Sequence, residues 1–367
     1  MSDLDLIAAS VERLFGGQLD RAARERAEAG AFDHALWRQL CGLGLPLMLA
    51  TEAAGGLGQP WSVAYPVLRA LGHAQVPLPL AETMLAAQLL SRAGFDLAEL
   101  ADPHDGPLTL VEQSRCGALH ARPDGAAVCL SGVAHRVPWA RHAQAAAVSL
   151  TDGRIALLRL GQRDEVTVQA YADMAGMPSD TLLLHEARCE LVAAHGLPLA
   201  RPVWTLGAVA RSVMMVGALE WLLAQTVAYA SERVQFGRPI GRNQAIQQNL
   251  ALMAGDVAAA RMAAELAAAD VAAPGGDGSA ALFSAGVAKV RCGEAATRGA
   301  ATAHQVHGAI GFTQEHALHF ATRRLWSWRD DFGSDAWWAA ELGRAAIASR
   351  AAGFWSSLTS KHFATLD

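Results

Sequence analysis

Two segments of the chain combine a cation, an aromatic ring, amides and glycines at short spacing. The first covers residues 231–241 and reads SERVQFGRPIG, followed by Gln244. Its Arg233 and Phe236 come after a long helical pattern and before a proline-bearing turn. A planar guanidinium beside an aromatic face suits a phosphate group and a stacked adenine. The alternative is an ordinary helix C-terminus, with a cation near the helix dipole and a buried phenylalanine.

The second segment covers residues 305–313 and reads QVHGAIGFT, with Arg323 and Arg324 further on. Its glycines, Gly308 and Gly311, would let backbone N–H groups approach an anionic ligand at the start of a helix. A single Gly-x-x-Gly is a weak signal, so an ordinary turn between two helices is the alternative.

Composition predicts that helices position these segments. The chain has 367 residues, of which 52% are hydrophobic and 18% charged, with a net charge of −5. These values exclude a disordered chain. The chain also lacks the excess of basic residues that nucleic-acid binding requires. Five dispersed cysteines without a Cys-x-x-Cys pair argue against a disulfide framework and a zinc site. The acidic N-terminus and Glu220 inside the most apolar stretch predict a cytoplasmic protein without a membrane span.

The hydrophobic pattern divides the chain into three predicted domains. Residues 1–105 form a helical domain, with Leu36, Leu40 and Leu43 on one face and a further helix at 81–90. Residues 106–195 form a β domain, because short apolar runs are separated by Asp-Gly turns; this length is small for a barrel or sandwich. Residues 196–367 form an antiparallel helical bundle, with long helices at 210–230, 244–273, 279–306 and 313–328 and a turn at 274–278.

In this order and layout, the two segments resemble the acyl-CoA dehydrogenase family, and the resemblance covers essentially the whole chain. The family carries Arg-x-x-Phe-Gly-x-x-Ile after the first bundle helix and Gln-x-x-Gly-Gly-x-Gly-Phe later. Residues 43–46, 55–58, 130–132 and 174–178 resemble further landmarks of the family. The resemblance implies a mainly α protein with a small β domain, in which a helical N-terminal domain and a four-helix bundle flank the β domain.

The resemblance implies FAD-dependent α,β-dehydrogenation of an acyl-CoA thioester. A carboxylate removes the α-proton while a hydride leaves the β-carbon for the flavin. By position, Arg233 would contact the FAD pyrophosphate and Phe236 the adenosine, with Gln244 nearby. Four residues of the second segment would reach the FAD of a neighbouring subunit: Gln305, Gly308, Ala309 and Gly311. A site shared in this way implies a dimer or a dimer of dimers. An electron-transfer flavoprotein would accept the electrons.

The position of the catalytic base departs from the family pattern. Counting without gaps, Phe332 stands where the family has its glutamate, and the alternative position, just before Arg211, holds Ala210. Arg211 itself matches an arginine close to the base in relatives. The candidates that remain are Asp331 and Asp330, although the charged run 329–331 could equally be a solvated turn. Residues 111–117 also lack the family's Thr-Glu-Pro-Gly pattern in the β domain.

Three functions follow from these departures. The chain is a working acyl-CoA dehydrogenase whose base is Asp331 or Asp330. Alternatively, it is the subunit of a heteromeric acyl-CoA dehydrogenase that completes the FAD site for a base-bearing paralogue. The third alternative is a flavin-dependent monooxygenase on the same fold, served by the histidines near the glycine motif: His304, His307, His316 and His319. The spacing does not identify the acyl group.

Overall fold

The computed structural model describes residues 11, 14–15, 19–100, 102–161, 163–189, 192–199, 201–271 and 278–361. The chain forms two compact units, each assembled from separate stretches of sequence. The first unit contains Met1–Arg24, Tyr65–Val76 and Ala208–Asp367, and the second contains Glu25–Ala64 and Pro77–Gly207. The predicted helical pattern before residue 11 and the predicted turn at 274–277 lie outside the described residues. The three predicted domains stay a prediction.

From Arg21 onward, the described residues before the sheets form five α-helices: α1 (Arg21–Glu28), α2 (His34–Gly42), α3 (Trp61–Ala74), α4 (Leu80–Arg92) and α5 (Leu97–Leu100). Helix α2 begins where the Asp33 carboxylate accepts hydrogen bonds from two backbone N–H groups of its first turn. The predicted helix at 81–90 lies within α4. Leu43, predicted on the buried face of α2, is 57% exposed, because the helix ends at Gly42 and the chain turns at Gly44 with φ +69°.

The second unit contains a sandwich of two four-stranded sheets. One sheet has the order β1 (Leu108–Glu112), β4 (Ala145–Ser149), β5 (Arg154–Arg159) and β8 (Val192–Ala194). The other has the order β2 (Ala118–Asp124), β3 (Ala127–Pro138), β7 (Ser179–Cys189) and β6 (Val166–Gln169). Apolar side chains of both sheets form one buried cluster. Although the segment is small for a sandwich, it forms one, since the two sheets cover each other's apolar face.

Both predicted Asp-Gly hairpins are present in this sandwich. Asp124-Gly125 joins the antiparallel strands β2 and β3, and Asp152-Gly153 joins β4 and β5. Gly125 and Gly153 adopt φ +63° and φ +83°, which explains the preference for glycine there. Strand β1 pairs with β4 in parallel, so a connection longer than a hairpin separates them.

The first unit is built on long helices: α6 (Pro202–Glu232), which enters it at Ala208, α7 (Gln244–Val271), α8 (Ser279–His307), α9 (Leu318–Asp330), α10 (Asp335–Ala348) and α11 (Arg350–Ser360). A short hairpin, β9 (Val234–Gln235) with β10 (Arg238–Pro239), joins α6 to α7. The predicted long helices are present, but residues 313–317 are not helical. A 3₁₀ turn at Gly308–Phe312 is followed by Thr313 in an extended conformation, and α9 starts only at Leu318.

Helix α6 is long and apolar enough to cross a membrane, but 83% of its most apolar window is buried inside the protein. That burial agrees with the predicted core helix. Two glycines bring α6 and the part of α3 in the same unit into backbone contact. A Cβ atom on Gly217 would lie 1.9 Å from the Arg69 carbonyl oxygen, and one on Gly72 would lie 1.8 Å from that of Met214.

Candidate active site

The segment after α6 forms a two-residue hairpin with Phe236 and Gly237 at its tip. Both tip residues have positive φ, +52° and +79°, which is the geometry of a tight β-hairpin turn. This conformation is unfavourable for a phenylalanine, whose ring is nevertheless fully exposed. The alternative of a buried phenylalanine at a helix end is therefore wrong. The hairpin presents an aromatic face outward.

The glycine segment forms the C-terminal end of α8 and the 3₁₀ turn beyond it, so the expectation that it stands at the start of a helix is wrong. Gly308 follows the last helical residue with φ +63°, and no atom lies within 4 Å of where a Cβ would be. Its backbone is thus open to a ligand. Gly311 differs, because a Cβ there would lie 2.9 Å from the Cβ of His307. Gly311 therefore packs against His307 at a point where a larger residue would not fit.

The hairpin and the glycine turn line one cleft of about 690 Å³ in the first unit. Arg233 and Gln305 lie in this cleft, together with Gly308 and Ala309. The resemblance had divided these residues between two FAD molecules. Because they share a single cleft, they can contact the same ligand. Its volume falls within the range of about 300–1,000 Å³ that small-molecule sites occupy.

Three predicted residues do not line the cleft, and sequence reasoning missed others that do. Phe236 extends into solvent, Gly311 is buried, and Gln244 is exposed at the start of α7. The missed residues include Tyr229, Asn243 and Asn249. Tyr229 lies one turn before Arg233, whose backbone N–H donates to the Tyr229 carbonyl oxygen at 2.8 Å just beyond the end of α6. That spacing could have identified the tyrosine, whereas nothing in the sequence marks either asparagine.

The side chains of the cleft fit the adenosine and pyrophosphate part of a dinucleotide. Arg233 supplies a guanidinium for phosphate oxygens, and the amides of Gln305 and Asn249 supply donors and acceptors. The open backbone of Gly308 leaves room for a ligand, and the positive group for its phosphates is Arg233, because the C-terminus of α8 is the negative end of the helix dipole. Its neighbour Ala309 carries the methyl group that replaces the family's second glycine. These residues could hold FAD.

The four histidines near the cleft pack against other aromatic rings. His307 stacks on Tyr229 with ring centroids 4.4 Å apart, and His316 lies edge-on to His307 at 4.7 Å. His304 stacks on Phe312 at 4.7 Å. Burial lowers the pKa of His304, His307 and His316, which favours the uncharged form of each ring. Within the described ranges, no group of three or more His, Cys, Asp or Glu side chains is arranged to hold a metal ion.

A second part of the candidate site lies where α9 ends. The Nε atom of Arg211, on α6, donates to the Oδ2 atom of Asp331 at 2.9 Å. The Arg211 side chain is 6% exposed and that of Asp331 is 31% exposed, so the pair lies at the edge of the interior. Asp330 instead faces the neighbouring Arg329 at 3.3 Å and is 40% exposed. The two aspartates therefore differ, and only Asp331 is held by a buried cation.

The residue at the family's glutamate position has a strained backbone. Phe332 has φ +51°, a conformation that bulky side chains rarely adopt. Its carbonyl oxygen accepts a hydrogen bond from Nε1 of Trp338 at 3.0 Å, and its ring lies 5.6 Å from the Arg211 guanidinium carbon. Such strain persists only where surrounding contacts hold it, and it is common at functional sites.

Glu220, further along α6, pairs with Arg69 at 2.6 Å.

In the second unit, the segment that departs from the family's β-domain pattern contains a buried carboxyl group. Glu112 ends β1, and its side chain accepts hydrogen bonds from the Trp204 backbone at 3.4 Å and the Ser114 hydroxyl at 3.2 Å. Burial raises the pKa of Glu112 to about 7. Arg115 stacks on the Trp204 ring at 4.4 Å. The turn after β1 is thus fixed to the first turn of α6.

Family models match both ends of the chain. Residues 2–97 match the acyl-CoA dehydrogenase N-terminal domain, and residues 194–329 match the acyl-CoA dehydrogenase C-terminal domain. The Mycobacterium tuberculosis acyl-CoA dehydrogenase IpdE2 is 31% identical over 322 residues, covering 87% of this chain and 88% of the relative. FadE27 of the same organism is 30% identical over 303 residues, covering 78% of this chain and 81% of the relative.

Two solved structures are similar over nearly the whole chain. A chain of the ChsE4-ChsE5 complex from M. tuberculosis has a TM-score of 0.85 at 26% identity, covering 96% of this chain and 99% of its own. A variant of the Tcur3481-Tcur3483 steroid acyl-CoA dehydrogenase has a TM-score of 0.85 at 25% identity, covering 95% and 99%. The predicted fold is confirmed, and relatives named acyl-CoA dehydrogenases are oxidoreductases acting on CH–CH groups. The chain belongs to the acyl-CoA dehydrogenase family.

Proposed function

We propose that the chain is an FAD-dependent dehydrogenase that introduces an α,β double bond into an acyl-CoA thioester, with Asp331 as the acceptor of the α-proton. The observation that carries this proposal is the 2.9 Å contact between the Asp331 carboxylate and the buried Arg211. It joins the residue next to the expected base to the arginine that the family places near its base. FAD, when bound, supplies the acceptor for the electron pair and the β-hydrogen.

The geometry supports Asp331 over its neighbours as this acceptor. Phe332 has no group that takes a proton, and Ala210 on α6 is buried and apolar. Asp330 faces Arg329 in a more exposed pair. The Asp331 carboxylate keeps one oxygen engaged with Arg211 while its side chain remains partly exposed. A carboxylate that is fixed yet accessible to a ligand is suited to act as a general base.

The substrate class that we propose is an acyl-CoA derived from a steroid side chain or ring. The support is the similarity to a two-chain enzyme described as a steroid acyl-CoA dehydrogenase. The test is the visible spectrum of the purified chain during anaerobic addition of steroid and straight-chain acyl-CoA thioesters. Bleaching of the flavin band by a steroid thioester is expected. Bleaching only by straight-chain thioesters would refute the steroid assignment.

Paired variants test the assignment of the base. Asp331→Asn should retain the flavin but fail to bleach it, because an amide cannot accept the α-proton. Asp330→Asn, one residue earlier, is the matched control and should bleach like the unmodified chain. Full bleaching by Asp331→Asn would show that another group takes the proton.

A second candidate function is the FAD-completing subunit of a heteromeric dehydrogenase. The observation that favours it is an exposed seam on α7, formed by apolar or small residues at alternating spacings of three and four: Leu252, Gly255, Ala259, Met262 and Leu266. A parallel set on the same helix packs inside the unit: Met253, Val257, Ala260, Ala264 and Ala267. Heptad spacing of this kind is the pattern by which one helix packs on another.

Co-purification distinguishes the two candidates. A homo-oligomer that bleaches with substrate supports the first, and an electron-transfer flavoprotein should then reoxidise it. A chain that binds flavin and acts only together with a paralogous acyl-CoA dehydrogenase subunit supports the second. In that case Asp331→Asn in this chain would leave the turnover of the complex unchanged if the paralogue supplies the base.

A further inference from the structure

Lys289 lies in the interior of α8 with its side chain fully buried. Its Nζ atom donates hydrogen bonds to three backbone carbonyl oxygens: Trp328 at 2.8 Å, Arg329 at 2.9 Å and Asp331 at 2.6 Å. An ammonium group has three donors, so this arrangement uses all of them. The last carbonyls of a helix have no partner within the helix. Lys289 therefore caps α9 from a neighbouring helix.

The charge of Lys289 needs an explanation beyond packing. Burial lowers the pKa of the ammonium to about 8, whereas attraction to Asp331 and Asp330 raises it and Arg211 lowers it further. The group is still charged at pH 7. Apolar side chains can replace a whole buried ion pair without loss of stability, whereas removing one charged partner leaves the other group uncompensated. Without the ammonium, three backbone carbonyl oxygens would lose their donor, so the three donors and the charge are what the lysine adds.

The contact with Asp331 is the one that reaches the candidate site. At Asp331 the chain leaves the helix with ψ 140°, and the next residue enters the strained conformation of Phe332. The backbone oxygen of Asp331 is held by Lys289 and its carboxylate by Arg211. Lys289 on α8 thus holds the backbone of Asp331, and Arg211 on α6 holds its side chain. This fixes the direction in which its carboxylate points.

We propose that Lys289 is a positioning residue, whose ammonium anchors the backbone of Asp331 and so orients the carboxylate that accepts the substrate α-proton. This rests on the proposed function of Asp331. Lys289 does not touch substrate in this role and acts through Asp331 alone. The proposal gives a physical reason why the strained turn at Phe332 stays in place next to the Arg211–Asp331 pair.

The experiment uses the flavin-loaded enzyme, with any subunit that co-purifies. Lys289→Met removes the charge and the donors, and Lys289→Gln keeps a neutral donor group. Cys292→Ala, also fully buried and one turn further along α8, is the matched control for packing. The measurements are kcat and KM, the pH profile of kcat, and exchange of the substrate α-hydrogen with deuterated water. Thermal unfolding and flavin content show whether each variant is folded.

We expect Lys289→Met to lower kcat and α-hydrogen exchange about 10- to 100-fold, since misplacement of a reacting group by about 1 Å can cost that much. KM should change little, and the acidic limb of the pH profile should move to higher pH, because a cation near the carboxylate is lost. Lys289→Gln should be intermediate, and Cys292→Ala should keep kcat and the pH profile.

The double variant separates this inference from the proposed function. On the Asp331→Asn background, Lys289→Met should cause no further loss, because both act through one group. A folded Lys289→Met variant with unchanged kcat and pH profile, alongside an inactive Asp331→Asn, would overturn the positioning role alone. Full turnover of Asp331→Asn would overturn the proposed base, and the positioning role with it.

Discussion

The guanidinium of Arg211 lies 2.9 Å from the carboxylate of Asp331, across 120 residues of sequence. Arg211 also donates from Nη1 to the sulfur of Met214 at 3.4 Å, within its own helix. This cation is therefore fixed to α6 and presents Nε to the end of α9. The pair joins two long helices where the strained turn begins, which makes it the structural centre of the candidate site.

Replacing Arg211 by methionine should impair both stability and activity. We expect a loss of about 2 kcal/mol in unfolding free energy, the scale of a hydrogen bond to a charged group. We also expect kcat to fall at least tenfold, because Asp331 loses its orientation. Thermal unfolding and steady-state kinetics measure the two effects. Arg344→Met, which removes an exposed pair with Glu341 on α10, should leave both nearly unchanged.

The cleft predicts which residues retain FAD. Arg233→Ala and Gln305→Ala should each raise the dissociation constant for FAD at least tenfold, because each removes a polar partner from the cleft. Titration of apo-protein with FAD, followed by flavin fluorescence, measures the change. Arg242→Ala is the matched control, since Arg242 is exposed nearby but does not line the cleft. Equal losses for Arg233→Ala and Arg242→Ala, with no loss for Gln305→Ala, would indicate a non-specific charge effect.

Much of the architecture could be predicted because it depends on local sequence patterns. The Asp-Gly hairpins and the long alanine-rich helices depend on turn chemistry and periodicity within a few residues. Helix ends were less predictable: Leu43 fits the apolar period but lies beyond the end of its helix. The start of α9 was also missed, since the preceding 3₁₀ turn depends on the conformation of Gly308.

The candidate site was only partly predictable because its contacts are distant in sequence. Motif spacing identified Arg233 and Gln305, and counting from the glycine segment led to Asp331. Lys289 could not be identified, because its partners are backbone carbonyls 39 to 42 residues away. A lysine in an alanine-rich helix usually points to solvent, and only the fold makes this one a buried cap.

The buried carboxyl group of Glu112 predicts a pH dependence of stability. Burial raises its pKa from 4.5 to about 7, so the folded protein binds a proton that the unfolded chain has lost between these pH values. Stability should therefore fall as pH rises from 4.5 to 7, by up to about 3 kcal/mol at about 1.4 kcal/mol per pKa unit. The test compares thermal midpoints at pH 5 and pH 7.5.

Glu112→Gln should remove this dependence, since an amide resembles the protonated acid at every pH. The variant should match the unmodified chain near pH 5 and exceed it in thermal midpoint at pH 7.5. Glu52→Gln, at an exposed position in the same unit, should follow the unmodified chain at both pH values. A variant that is less stable than the unmodified chain at pH 7.5 would contradict the raised pKa.

The glycine contact between α3 and α6 predicts a strongly destabilising substitution. Gly217→Ala would place its methyl group 1.9 Å from the Arg69 carbonyl oxygen, so one helix must shift. We expect a loss of at least about 2 kcal/mol, as for overpacked cores. Gly343→Ala on α10, where no atom lies within 4 Å of the new methyl group, should instead gain about 0.5–1 kcal/mol from helix propensity. Denaturant unfolding measures both changes.

The exposed seam on α7 predicts where a second subunit packs. Leu252 and Met262 are 71% and 66% exposed, and they lie on one face of the helix with the small residues Gly255 and Ala259. Introducing a carboxylate there would bury a charge in any helix–helix contact. Leu252→Glu and Met262→Glu should therefore convert the assembly to smaller species in sedimentation velocity, with little change in the circular dichroism of the helices.

Leu43→Glu, at a 57% exposed position after α2, is the matched control for adding a charge to an exposed leucine, and it should leave the assembly intact. The same sedimentation experiment should be repeated in the presence of FAD. If the cleft binds a cofactor shared with a second subunit, FAD should shift the equilibrium of the unmodified chain towards the larger species by mass action. Dissociation by Leu43→Glu, or an assembly unaffected by both seam variants, would show that subunits meet on another surface.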